Sequence, residues 1–151
     1  GDHVWAAGDC AQAKGFFTDS PVMNAILPSA TEQGRIAGMA MAGDPGLKSY
    51  AGGVPLNTYH FFGRHAISVG SSRVPEGGEM VTRFDEKSGR YLKVIFSADA
   101  RLTGIYGVNE FFDGGVMCQL ILRRVDLSAV RERFVAEPMK VGREIMSRMW
   151  R

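Results

Sequence analysis

The chain opens on a short apolar run, residues 3–8 (His-Val-Trp-Ala-Ala-Gly), which stops at Gly8-Asp9. An uninterrupted apolar run closed by a polar turn predicts a buried strand. Residues 14–28 are mixed in character and carry Pro21 and Pro28, which predicts an irregular loop. Ser29-Ala30-Thr31-Glu32 then has the S-x-x-E spacing of a capping box, in which Ser29 accepts from the Glu32 amide while Glu32 reaches back. The helix so started is predicted to run to about Ala42. Gly43-Asp44-Pro45 ends it, since glycine closes a helix and proline prevents its continuation. Ala30, Gly34, Ala37 and Gly38 leave one face of this helix almost without side chains. Glycine inside a helix costs about 1 kcal/mol relative to alanine, so close approach of a backbone or a ligand is the natural reason for it.

Glycines and prolines then cluster over residues 43–57, which marks the best domain boundary; the expected division is 1–48 and 49–151. Beyond it the pattern turns to strands, at 58–62, 66–69, 80–84, 91–96 and 102–108. Asp85-Glu86-Lys87-Ser88-Gly89 between the third and fourth reads as a hairpin turn. Residues 115–124 have apolar positions 117, 120 and 121 at helical spacing. Asp126 or Ser128 can cap a short helix to about Val135. Pro138 suits the start of a last one, with Val141, Ile145 and Met149 as its apolar stripe. The expected class is α+β: the end of an α/β domain, then an antiparallel sheet with helices.

Composition narrows the function classes. The 151 residues are 45% hydrophobic and 23% charged, as in an ordinary globular chain, and a formal charge of +2 gives no argument for a nucleic-acid partner. No apolar run approaches the ~20 residues that span a bilayer, and Gly1-Asp2-His3 lacks the regions of a secretory signal. Cys10 and Cys118 cannot form a CxxC pair. Two reduced thiols in a cytoplasmic protein is the reading, a Cys10–Cys118 disulfide in an oxidising compartment the alternative. The first methionine is Met23, so the chain reads as a processed product or as part of something longer.

Chemistry concentrates near the start. A strand ending in Gly8-Asp9 would put a carboxylate at the carboxyl edge of a sheet, where α/β folds bind ligands, and Asp9 could accept hydrogen bonds from a polyol. A helix start nearby offers free amides and a positive dipole end. The plainer alternative is a turn in which Asp9 caps its own backbone.

The blocks VWAAGDCA and LPSATEQGRIAGMAMAG, about sixteen residues apart, resemble the last conserved block of the FAD-dependent pyridine nucleotide-disulfide oxidoreductases. The likeness is toward the NADH oxidase, coenzyme A-disulfide reductase and nitrite reductase branches. It covers residues 3–43, and residues 50–151 resemble the family's C-terminal interface domain more loosely. The resemblance implies FAD as cofactor and NAD(P)H as substrate of the intact protein. It implies Asp9 as ligand of the ribityl chain and Gly8 as the close-approach glycine. It sets the amides near Leu27, Ser29 and Ala30 toward the flavin carbonyl, with Gln33-Gly34-Arg35 marking the helix register. It also implies a homodimer joined to upstream FAD and NAD domains of the same protein. The chain departs from the family in carrying Pro28 where related chains often keep a free amide, and in having no G-x-G-x-x-G. Without those glycine turns nothing here holds the pyrophosphate, so the chain alone is expected neither to catalyse nor to bind FAD tightly. The redox cysteines of the family lie upstream, and Cys10 is read as structural.

Other residues are weaker candidates. His60 and His65 sit among Tyr59, Phe61, Phe62 and Arg64; they could help enclose a flavin, or could be core aromatics with ordinary histidines. His3 has no partner at metal-ligand spacing, so no metal site is expected. Asp113-Gly114-Gly115 reads as a turn rather than a phosphate loop. Residues 123–151 are basic, which a solvated face with pairs such as Glu144–Arg148 explains; an acidic redox partner or a nucleotide phosphate is the alternative. Met149 and Trp150 are candidates for a dimer contact. A non-enzymatic dimerisation module and a subunit of an electron-transfer complex are the competing readings of the whole. The sequence selects neither the electron acceptor nor NADH over NADPH.

Overall fold

The computed structural model describes residues 3–18 and 20–149, and the chain divides into two compact units, Gly1–Pro55 and Leu56–Arg151.

In the first unit a two-residue strand β1 (Ala13–Lys14) pairs antiparallel with β2 (Pro21–Val22), so the stretch predicted as an irregular loop holds a small hairpin. Residues 3–8, predicted as a buried strand, form none; Val4 is 78% exposed and Trp5 40%. A strand needs a hydrogen-bonded neighbour and an apolar layer against it, and among the described residues this run has no strand partner. Helix α1 (Leu27–Met41) starts three residues before the predicted position, its N-cap being Ile26, in an extended conformation, instead of Ser29. The capping box does not form. Pro28 falls in the first turn, where its fixed φ suits a helix and its missing N–H costs nothing, and this sets the earlier start. Ser29 is therefore inside the helix, buried, its Oγ accepting from Asn24 Nδ2 at 2.8 Å, while Glu32 pairs with Arg35 at 2.7 Å. The far end closes as expected. Gly43 takes φ +61°, its N–H donates to Ala40 C=O at 3.2 Å, and Asp44 N–H donates to Met39 C=O at 3.0 Å, the two bonds of a Schellman cap.

The second unit is a five-stranded antiparallel sheet of β3 (Leu56–Phe61), β4 (Arg64–Gly70), β5 (Glu79–Asp85), β6 (Arg90–Phe96) and β7 (Leu102–Val108), in the order β3-β4-β7-β6-β5. The predicted hairpin joins β5 to β6, with Asp85 opposite Arg90. Register places Leu56, Val69, Ile105, Val94 and Val81 in one row across all five strands, with Val69, Val94 and Ile105 fully buried. Because side chains alternate along a strand, the row Tyr59, Ala66, Val108, Tyr91 and Phe84 lies on the opposite face. Helix α2 (Gly114–Leu122) packs on β4 and β7, contributing buried Met117, Leu120 and Ile121. A 3-10 turn (Ser128–Val130) leads into α3 (Arg131–Ala136), whose buried Phe134 meets Phe96 edge-on with ring centroids 6.3 Å apart.

An aspartate caps α2, whereas neither Asp126 nor Ser128 caps α3: the 3-10 turn follows Leu127 and α3 follows Val130, with no side-chain cap, and Asp126 only closes a local turn. Asp113 Oδ1 accepts from Val116 N–H at 3.1 Å to cap α2, and Asp126 Oδ1 accepts from Ser128 N–H at 2.8 Å. Helix α4 (Pro138–Met149) begins at the predicted proline but buries Pro138, Val141, Gly142 and Met146 instead of the 141/145/149 stripe; Met149 is 45% exposed. Each residue turns about 100°, so a strict i, i+4, i+8 row drifts about 80° off its face within two steps. Glu144 likewise pairs with Arg133 of α3 at 2.8 Å, not with Arg148. The α+β class and the antiparallel sheet with helices stand as predicted.

Candidate functional site

The Gly8-Asp9 element is a tight turn. Ala11 N–H donates to Gly8 C=O at 3.0 Å, and Gly8 has φ +85°, a left-handed conformation that favours glycine. Gly8 N–H donates in turn to Gln33 Oε1 at 2.9 Å. A Cβ added to Gly8 would lie 3.7 Å from Ala30 Cβ, so the turn rests against Ala30 and Gln33, neighbours at i, i+3 on α1. Asp9 is exposed, and among the described residues its carboxylate has no hydrogen-bond partner. The alternative in which Asp9 caps its own backbone is thus not the arrangement adopted; backbone groups and Gln33 hold the turn. Cys10 and Cys118 are both free thiols, Cys10 exposed and donating to Ala7 C=O at 3.5 Å, Cys118 raised in pKa by burial.

At the front of α1, Leu27 is 80% exposed and Pro28 carries no amide hydrogen. Ala30 N–H already donates to Ile26 C=O at 3.0 Å, so of the three positions expected to offer amides, Ala30 is spent inside the helix. Leu27 and Ser29 precede that first intrahelical bond, but Ser29 is buried beneath Asn24, so of the three only Leu27 stands exposed. Farther along, a Cβ at Gly34 or Gly38 would meet nothing within 4 Å, so the face of small side chains is open. The grouping can accept hydrogen bonds at Asp9 and donate them at the helix front, and it admits a flat group against the bare face.

Gln33 is the site residue that sequence reasoning undervalued. The Gln-Gly-Arg block marked helix register only, whereas the structure makes its glutamine the link between α1 and the turn. A long polar side chain one turn past a bare helix start was the available signal.

In the second unit, His60 and His65 face each other across β3 and β4 with ring centroids 5.0 Å apart, and Phe111 stacks on His65 at 5.2 Å. Tyr59, Phe61 and Phe62 are 54%, 49% and 98% exposed, so the core-aromatic reading is overturned. Another polar centre escaped the sequence: Glu110, 6% exposed, accepts from Arg90 Nε at 3.1 Å and Nη2 at 2.8 Å. It borders a groove of about 840 Å³ along α4. Of the basic residues in 123–151, Lys140 pairs with Glu137, Arg143 with Asp113 and Arg133 with Glu144, as a solvated face requires. Met149 is exposed, whereas Trp150 lies outside the described residues.

No protein-family model matches the chain. It is similar to a FAD-dependent pyridine nucleotide-disulphide oxidoreductase from Desulfovibrio vulgaris, over 95% of this chain and 38% of that one, with 19% identity and a TM-score of 0.64. It is also similar to a NAD-dependent persulfide reductase from A. fulgidus, over 86% of this chain and 27% of that one, with 17% identity and a TM-score of 0.67. The fold is that of the C-terminal domains of FAD-dependent pyridine nucleotide-disulfide oxidoreductases. In sequence the chain is 77% identical over 150 residues to the NADH-dependent phenylglyoxylate dehydrogenase subunit epsilon of Aromatoleum evansii. That match takes in 99% of this chain and 35% of the relative, so the chain spans about a third of the length of the curated relative. Among the described residues no helix is long and apolar enough to cross a membrane.

Proposed function

We propose that this chain is the C-terminal part of an FAD-dependent NAD(P)H oxidoreductase, in which its first unit completes the FAD site and its second forms a homodimer interface. The observation that carries the reading is the Gly8-Asp9 turn held against the first turns of α1, with an exposed carboxylate that has no partner among the described residues and an exposed Leu27 at the helix front. A carboxylate free to accept and an amide free to donate suit the two polar ends of a flavin, its polyol chain and its ring carbonyl. FAD, when bound, supplies the hydride acceptor and the relay of electrons to an oxidant. Asp9 accepts hydrogen bonds from the ribityl hydroxyls. Exposed Leu27 directs its amide, and with it the positive end of α1, toward the ring edge, favouring negative charge there. Gly34 and Gly38 let the rest of the FAD domain approach α1 closely.

The likeness to a dehydrogenase subunit supports a place in a larger enzyme, with NADH as electron donor. Exposed Tyr59, Phe61, Phe62 and Phe84 support a role for the second unit in contact with another chain. Two free thiols support a reducing compartment, the cytoplasm.

The test is Asp9→Ala in the full-length protein. FAD affinity should fall about ten- to hundredfold, the range for hydrogen bonds to a charged acceptor. Unchanged FAD retention would remove the cofactor role. The 151-residue chain alone, lacking a pyrophosphate turn, should give no stoichiometric yellow complex when titrated with FAD.

A further inference from the structure

We infer that Gln33 is a positioning residue for Asp9, fixing where that carboxylate stands relative to the front of α1; the inference rests on the flavin reading above. Residues 3–8 have no strand partner among the described residues, so no sheet ladder holds the Gly8-Asp9 turn in place. What ties it to α1 is the bond from Gly8 N–H to Gln33 Oε1 at 2.9 Å. Gln33 is only 9% exposed, and its side chain is packed rather than free to wander. Asp9 follows Gly8 directly, so a fixed Gly8 amide fixes the root of the Asp9 side chain. Gln33 stands six residues behind Leu27, about 9 Å along the helix at 1.5 Å per residue. It therefore sets one distance: the span between the acceptor at Asp9 and the donor at the helix front, which one ligand must bridge. Ala30, one turn nearer the front, contributes only the surface on which Gly8 rests.

The experiment uses the full-length flavoprotein stripped of FAD. It measures the FAD dissociation constant by flavin fluorescence for Gln33→Met, Gln33→Glu, Asp9→Ala and the Asp9→Ala/Gln33→Met pair. Gln33→Met removes the acceptor at nearly constant volume and should weaken binding about three- to tenfold, the worth of one hydrogen bond. Gln33→Glu keeps an acceptor and should bind like the parent. In the Asp9→Ala background, Gln33→Met should add less than about a twofold change, because a residue acting through Asp9 has nothing left to position. Equal effects in both backgrounds, or parental affinity in Gln33→Met, overturn the inference while leaving the flavin reading intact. Parental affinity in Asp9→Ala overturns that reading and the inference with it. If Gln33→Met does not fold, Gln33→Ser, too short to reach Gly8, takes its place with the same expectations.

Discussion

Alanine at Gly34 and Gly38 separates a helix face that is bare by design from one that is bare by chance. In the 151-residue chain a Cβ at either position meets nothing within 4 Å, and neither glycine has a positive φ. Substitution there removes only the helix penalty of glycine, about 0.8–1.0 kcal/mol per site, or about four- to fivefold slower amide exchange along α1. The double variant should gain about 2 kcal/mol, the sum of the two helix penalties. In the full-length protein the sign should turn. If another layer of the FAD domain packs on this face, each added methyl costs about 1–3 kcal/mol in overpacking, which cancels or outweighs the gain. Hydrogen exchange along α1 in both forms, with an FAD titration of the full-length pair, reads the difference. An equal gain in both forms with unchanged FAD affinity would refute the reasoning, because it would mean that nothing approaches the face.

Other expectations bear on the second unit and the thiols. Phe134→Ala removes a fully buried ring packed on Phe96 and should cost about 3–5 kcal/mol in urea unfolding; a loss under about 1 kcal/mol would mean that the helix layer does not form the core described. Asp113→Ala should cost about 1 kcal/mol by uncapping α2, with Asp113→Asn restoring most of it, and equal losses in both would assign the effect to the Arg143 pair instead. A thiol reagent should label exposed Cys10 well before Cys118. Burial raises the Cys118 thiol, so its thiolate fraction, and hence its labelling rate, should keep rising beyond the pH at which an ordinary thiol levels off; matched rates would contradict its burial.

The second unit was legible because its signals are local and its partners are near. β-branched and aromatic runs separated by Asp-Glu-Lys-Ser-Gly produce a hairpin wherever they occur, and β5 and β6 pair as the pattern says. Pro138 acts at its own position and starts α4 as read, whereas Asp113, read only as a turn residue, caps α2, and Asp126, read as a cap, only closes a local turn with Ser128. Pairings over distance could not be read. Glu144 finds Arg133 across a helix contact instead of Arg148 on its own helix, and Glu110 is buried because the fold brings Arg90 to it. The capping box at Ser29 failed through a competition the motif does not display: Pro28 suits the first turn so well that the helix begins ahead of it, and Ser29 turns to Asn24.

The first unit misled in a more informative way. Of the buried apolar residues described, Ala11 and Val54 alone belong to it, while sixteen, from Ile67 to Met146, belong to the second. With so little apolar burial its order depends on specific bonds: Gln33 to Gly8, Asn24 to Ser29, and the cap at Gly43. The apolar run at residues 3–8 has the composition of a core strand and the exposure of a surface one. Leu27 and Met41 are 80% and 60% exposed at opposite ends of α1, and the face between them at Gly34 and Gly38 is open. Exposed apolar side chains and glycines inside a helix are costly individually, and together with an exposed carboxylate that has no partner among the described residues they cohere under a single cause. One α/β layer laid against this unit would pair the run, cover the glycines and bring a polyol to Asp9, which is the arrangement the flavin reading requires.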